Sequence, residues 1–303
     1  MLTFAGAYTA LVTPFTRDGS AVSIERLEQQ IQFQAEGGVR GVVPCGTTGE
    51  APTLDEREHI AVVECAVRVG RPLGLQVIAG AGSNSTSHAI HLHRLAASLG
   101  AHAALQVAPY YNKPSQEGLY QHFMAIADSC DLPVVLYNIP GRSAVTIAPT
   151  TIERLASHPN IVALKEATGS MDSASEVRKR CSIAVLSGDD SLTASFAAVG
   201  AVGVVSVVSN IVPDRIARLC RAIAMNDFAA LRALHDGLFS LSRGLLSLDV
   251  NPVPLKCAME LLGRDSGTVR LPLVRASDSI QSTVASLLAE AQVLSLEPHA
   301  SRS

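Results

Sequence analysis

Short, near-continuous apolar runs recur along the chain, many of them β-branched, at positions 10–12, 41–43, 75–78, 104–107, 134–136, 161–164, 184–186 and 203–205. Runs that are apolar at nearly every position, and not at alternate ones, predict strands buried on both faces of a parallel sheet. Helical patterns separate them. Thr53-Leu54-Asp55-Glu56 has the spacing of a capping box ahead of Ile60 and Val63, and Pro114-Ser115 precedes Leu119, Phe123 and Ile126, which share one helical face. Pro213 and Asp214 suit a first helical turn, where a missing N–H is harmless and a negative charge favours the dipole. The helical pattern then continues through Leu231, Leu238 and Leu245, breaks at 251–254, and ends on the polar Ser301-Arg302-Ser303. The expectation is an α/β protein: a (β/α)8 TIM barrel with a C-terminal helical extension, the barrel core at 1–213 and the last barrel helix with the extension at 214–303. A doubly wound sheet is the alternative.

Composition narrows the function classes. The chain has 303 residues, enough for one barrel of about 250 residues. Hydrophobic residues make up 48% and charged residues 17%, against a usual charged share of about 25%, so much surface is expected to be buried inside the fold or between subunits of a homo-oligomer. A net charge of -3 without a charge block leaves no footprint for nucleic acid or an anionic membrane, and a small soluble partner is expected instead. The stretch 191–213 is uncharged and long enough to cross a bilayer, but its Ser, Thr, Asn and Gly residues predict a buried helix followed by a buried strand. Met1-Leu2-Thr3-Phe4 does not read as a signal peptide, so a cytoplasmic location is expected. Cys45, Cys65, Cys130, Cys181, Cys220 and Cys257 form no C-x-x-C pair and are expected to be reduced, mostly buried thiols.

In a barrel, reacting groups stand where strands end and βα loops begin. Those positions here carry Gly46-Thr47-Thr48-Gly49-Glu50, Tyr110-Tyr111-Asn112, Tyr137-Asn138-Ile139-Pro140-Gly141-Arg142, Lys165-Glu166 and Gly188-Asp189-Asp190. Lys165 follows directly on the apolar run 161–164. Burial there disfavours an ammonium ion, and a neutral amine attacks a ketone to form a Schiff base. Imine chemistry needs a proton relay, which hydroxyls at Thr47, Thr48, Tyr111 and Tyr137 can supply. A turn with hydroxyl donors can hold a carboxylate, and the planar fork of Arg142 can grip a second. Each residue alone has a plainer reading: Lys165 paired with Glu166, the tyrosines packed at the rim, Arg142 solvated. Their company favours chemistry.

Together these segments resemble the dihydrodipicolinate synthase family of pyruvate-dependent class I aldolases, from Gly6-Ala7-Tyr8-Thr9 to about Arg270-Leu271-Pro272. The resemblance implies that Lys165 forms the Schiff base with pyruvate, whose enamine attacks the aldehyde of aspartate semialdehyde before cyclisation. It implies that Tyr137 is the main proton donor and acceptor, linked by Thr47 to Tyr111, which in this family reaches into a neighbouring subunit's site. Thr48 is similar in position to the residue holding the pyruvate carboxylate, Arg142 to the one binding the aldehyde substrate's carboxylate, and Gly188 and Val205 to residues lining the pocket by their backbone. A homo-oligomer built as a dimer of dimers is implied. Sister enzymes such as N-acetylneuraminate lyase and 2-keto-3-deoxy sugar acid aldolases share the lysine and tyrosine. Arg142 and Asn251-Pro252-Val253-Pro254-Leu255-Lys256 favour the synthases. Ser143-Ala144-Val145 departs from the family's usual Thr-Gly. At the family's lysine feedback site, Ala51, Pro52 and Glu56 stand in the first region, Asn84 matches and His88 replaces a Glu, so sensitivity to lysine is not implied.

Three features are read as structural. Lys256, the rival amine, lies where a Pro-rich segment begins a helix. His88, His91 and His93 are expected on a solvated helix face, and Asp189-Asp190 lacks the further oxygen ligands a cation needs. No metal and no organic cofactor is expected.

Overall fold

The computed structural model describes residues 3–294. Eight parallel strands close into a barrel in chain order: β1 (Gly6–Ala10), β2 (Gly41–Val43), β3 (Gln76–Gly80), β4 (Ala103–Val107), β5 (Val134–Asn138), β6 (Ile161–Glu166), β7 (Ala184–Ser187) and β8 (Gly203–Ser206). Around them run α1 (Ile24–Glu36), α2 (Glu56–Gly70), α3 (Thr86–Ser98), α4 (Gln116–Ala127), a helical turn α5 (Pro140–Ser143), α6 (Pro149–Leu155), α7 (Met171–Arg180), α8 (Thr193–Ala198) and α9 (Pro213–Ala224). The extension is α10 (Phe228–Ser247), α11 (Val253–Leu261) and α12 (Asp278–Glu290). No described helix is long and apolar enough to cross a membrane; 191–213 forms α8, β8 and flanking 3-10 turns.

Most strands run further toward their C-terminal ends than their apolar runs do. Tyr137 and Asn138 extend β5, Lys165 and Glu166 extend β6, and Ser187 and Ser206 extend β7 and β8. Polar groups are thereby held on rigid backbone at the barrel's mouth. The first strand lies earlier than the expected 10–12, because Tyr8 and Thr9 are buried with partners inside: Tyr8 Oη donates to Gln76 Oε1 at 2.6 Å and Thr9 Oγ1 to Gln34 Oε1 at 2.6 Å. A paired polar side chain enters a strand at little penalty.

Helix starts follow local chemistry. Ser115 caps α4 and buries Leu119, Phe123 and Ile126 as expected, and Pro213 opens α9. The capping box of α2 is not Thr53/Glu56 but Asp55/Glu58: Asp55 accepts from the Glu58 N–H at 2.8 Å and Glu58 reaches back to the Asp55 N–H at 3.3 Å. Thr53 ends a 3-10 turn that Pro52 favours, and its hydroxyl donates backwards to the Glu50 carbonyl at 3.0 Å. On α3, His88 and His91 are exposed and stacked, but His93 is wholly buried beside Gln106. The helix repeat puts His93 on the face of Ala89 and Ala96, against the barrel, and burial lowers its pKa to about 4. The six cysteines are free thiols, four of them buried.

The extension is sewn to the loops above β1 and β2. Ser266 Oγ donates to the Phe15 carbonyl at 2.9 Å, and Arg270 forms a two-pronged pair with Glu58 at 2.5 and 2.6 Å while donating to Gly19 and Thr53 carbonyls. Beneath them Lys256 of α11, fully buried, pairs with Glu50 at 2.6 Å and donates to the Thr268 carbonyl at 2.9 Å. The barrel mouth is thus walled on one side by residues from the chain's last third.

Candidate active site

The barrel mouth opens on a cavity of about 600 Å³ whose walls include Thr47, Tyr110, Tyr137, Arg142, Ser143 and Asn251. Thr47 is brought there by a tight return after β2. Cys45 takes a left-handed φ of 55°, and the loop passes so close to β3 that a Cβ on Gly80 would stand 2.0 Å from the Cys45 carbonyl oxygen. Only glycine admits that approach.

Lys165 and Tyr137 are register partners on adjacent strands, so their side chains share a face. Lys165 is 6% exposed, and its Nζ stands 4.0 Å from the centroid of the Tyr137 ring. Pairing of Lys165 with Glu166 does not occur, since successive strand residues point to opposite faces. Glu166 lies behind, accepting from the Thr168 N–H at 2.8 Å and from Asn138 Nδ2 at 3.4 Å, with burial holding its carboxyl above the usual range. Among the described residues Lys165 joins no ion pair, which leaves an amine buried without a counter-ion.

Arg142, in the last turn of α5, is exposed to the cavity, and its Nη2 donates to the Asn251 carbonyl at 3.5 Å. With no carboxylate engaged, its fork is open to one from solution. Thr48 is buried, and Asn251 Nδ2 donates to its Oγ1 at 3.0 Å. Gly188 packs so tightly that a Cβ would stand 2.7 Å from that of Ala167, and its N–H is engaged by the Glu166 carbonyl at 2.7 Å. Val205 lies two positions beyond Gly203, which is in register with Leu186 and through it with Lys165, so Val205 shares the interior face. Tyr111 stands apart. It is 89% exposed, takes a φ of 73°, and lies outside the cavity wall.

Asp189 and Asp190 are structural. Asp189 caps a 3-10 turn through the Ser191 N–H at 2.9 Å, and Asp190 accepts from the Ser206 hydroxyl and the Val207 and Val208 N–H groups. Even so, burial pushes Asp190 up to about 6. Among the described residues no group of three or more His, Cys, Asp or Glu side chains could hold a metal ion.

A family model, the dihydrodipicolinate synthetase family, matches residues 3–291. The chain belongs to that family. The 4-hydroxy-tetrahydrodipicolinate synthase of Pelobacter propionicus is 50% identical over 94% of this chain and 98% of its own. Among solved structures, the dihydrodipicolinate synthase of Aquifex aeolicus superposes with a TM-score of 0.93 at 43% identity, covering 96% of this chain and 99% of that one. The chloride-inhibited dihydrodipicolinate synthase of Acinetobacter baumannii complexed with pyruvate gives 0.92 at 38% identity, over 96% and 100%. Lys165 and Tyr137 stand at the C-terminal ends of β6 and β5, and Thr47 and Arg142 on the segments that follow β2 and β5. Sequence reasoning missed Asn251 as the residue touching both Thr48 and Arg142, and Glu50 as the partner of Lys256. These contacts join residues more than a hundred positions apart, and no local pattern announces them.

Proposed function

We propose that this member of the dihydrodipicolinate synthetase family is a 4-hydroxy-tetrahydrodipicolinate synthase, condensing pyruvate with aspartate 4-semialdehyde on the route to diaminopimelate and lysine. The observation that carries the reading is a buried amine without a counter-ion, Lys165, against the ring of Tyr137 beside a cavity that holds an unpaired Arg142. The Lys165 amine adds to the pyruvate ketone, and loss of water leaves the imine. Loss of a methyl proton gives the enamine, whose carbon forms the new bond to the aldehyde carbon, the aldehyde oxygen taking up a proton. The amine of the second substrate then attacks the imine carbon, closing the ring and releasing Lys165.

We assign to Tyr137 the proton transfers of these steps, with Thr47 as its link to Tyr111. Thr48 is assigned to the pyruvate carboxylate, Arg142 to the carboxylate of the aldehyde substrate, and Gly188 and Val205 to the pocket wall. A tyrosine 89% exposed outside the cavity suits a relay completed in a neighbouring copy, and we propose a homo-oligomer, in full a dimer of dimers. Free thiols suit a reducing compartment, and we place the reaction in the cytoplasm.

The test is condensation of pyruvate with aspartate semialdehyde, measured beside cleavage of N-acetylneuraminate and of 2-keto-3-deoxy sugar acids. Preference for the first supports the synthase; preference for a sugar acid replaces it with a sister aldolase. Mixing Tyr111→Phe with Lys165→Ala protein, each inactive alone, restores activity if one site combines Lys165 of one chain with Tyr111 of another.

A further inference from the structure

The side chain that meets Thr48 comes from outside the barrel. Asn251 stands between α10 and α11, in the cavity wall. Its Nδ2 donates to Thr48 Oγ1 at 3.0 Å, and its backbone carbonyl accepts from Arg142 Nη2 at 3.5 Å. A hydroxyl has one hydrogen and two lone pairs, whereas a carboxylate only accepts. An amide N–H that occupies a lone pair of Thr48 leaves the hydroxyl hydrogen pointing elsewhere, as a donor. The reverse arrangement, with Thr48 donating to Asn251, would present an incoming carboxylate with lone pairs. Asn251 Oδ1 is itself buried and unpartnered. The amide is held by its donor end.

We infer that Asn251 is a positioning residue, whose amide fixes the Thr48 hydroxyl as a donor toward the keto acid's carboxylate while its carbonyl steadies Arg142. The inference rests on the assignment of Thr48 to that carboxylate. It makes the C-terminal extension part of the substrate site, because the segment between α10 and α11 touches both carboxylate-binding positions.

The test is a double-mutant cycle on the full-length enzyme. Asn251→Leu removes the donor at similar volume and adds no charge, and Thr48→Val removes the hydroxyl. Each single change raises the pyruvate KM about tenfold with kcat little altered, and the double variant is no worse than Thr48→Val alone, because Asn251 acts through Thr48. A native pyruvate KM in Asn251→Leu, or effects that multiply, overturns the inference and leaves the Thr48 assignment standing. A native KM in Thr48→Val overturns that assignment and the inference with it. If Asn251→Leu does not fold, Asn251→Asp serves: it keeps the shape but only accepts, so it takes the Thr48 hydrogen for itself. It should raise the pyruvate KM more than the aldehyde KM, and an unchanged pyruvate KM overturns the inference.

Discussion

Two buried lysines, Lys165 and Lys256, sit over aromatic rings at nearly the same distance, 4.0 Å from Tyr137 and 4.1 Å from Phe15. Their surroundings otherwise differ in kind. Lys256 is closed in from all sides, paired with Glu50 at 2.6 Å and donating to the Thr268 carbonyl at 2.9 Å. Burial lowers its pKa, and the Glu50 and Asp265 carboxylates oppose that. Lys165 is paired with no acid among the described residues and stands on a strand end against Tyr137, which lines the cavity. The contrast teaches that burial alone does not mark a reactive amine. What separates the two is whether the protein has already supplied the nitrogen with a partner.

Chemical trapping separates the two amines most directly. Borohydride reduction in the presence of pyruvate should attach a stable adduct to Lys165 and leave Lys256 unlabelled, as read by peptide mass spectrometry. Lys165→Ala should lose both the adduct and the activity. An adduct on Lys256 would reverse the roles given to the two residues.

The second test concerns stability. Lys256→Met leaves the Glu50 carboxylate buried without its cation, and breaking one side of such a pair destabilises by about 3–5 kcal/mol. Glu50→Gln combined with Lys256→Met removes both charges and should recover most of that loss. Chemical unfolding at fixed protein concentration measures both, and equal losses in the single and double variants would show that the pair is not what Lys256 contributes. Lys165→Ala should cost far less stability, since no partner is abandoned.

How much of this could be read along the chain follows from the range of each interaction. The strands were legible because both faces of a barrel strand are buried, so 41–43 or 161–164 could be recognised from their own composition. The first strand was misplaced for the same reason, since Tyr8 and Thr9 are admitted by partners on β3 and α1, far along the sequence. Lys165 was conspicuous because one charge ends an apolar run. His93 was misread because a cluster close in sequence splits across two faces of a helix, sending one ring against Gln106. Glu50 and Asn251 gave no local sign of their roles, which exist only once the extension folds back over the mouth.

A smaller effect is expected at Arg142, the site's unpaired cation of the opposite design to Lys256. A charge-assisted hydrogen bond to a carboxylate contributes roughly 1.5–3 kcal/mol, so Arg142→Ala should reduce efficiency with aspartate semialdehyde by about ten- to a hundredfold. The adduct between Lys165 and pyruvate should form as before, because pyruvate's carboxylate is assigned to Thr48. Native turnover in this variant would detach Arg142 from the second substrate.

Asp190 extends the same contrast to an acid, and its effect is the smallest. It is buried with hydroxyl and N–H donors but no cation, and burial raises its carboxyl from 3.8 to about 6. The neighbouring Asp189 pushes the same way. A carboxyl raised on folding holds its proton more tightly in the native state, so its contribution to stability is complete below 3.8 and disappears as pH rises through about 6. Asp190→Asn cannot titrate, so the variant should lack this component of the pH dependence. Subtracting its unfolding free energy from that of the native chain at pH 4.5 and pH 7 isolates Asp190 from the other buried acids. The difference should favour the native chain more at the lower pH. A difference independent of pH would mean that the Ser206, Val207 and Val208 donors hold Asp190 ionised in spite of its burial.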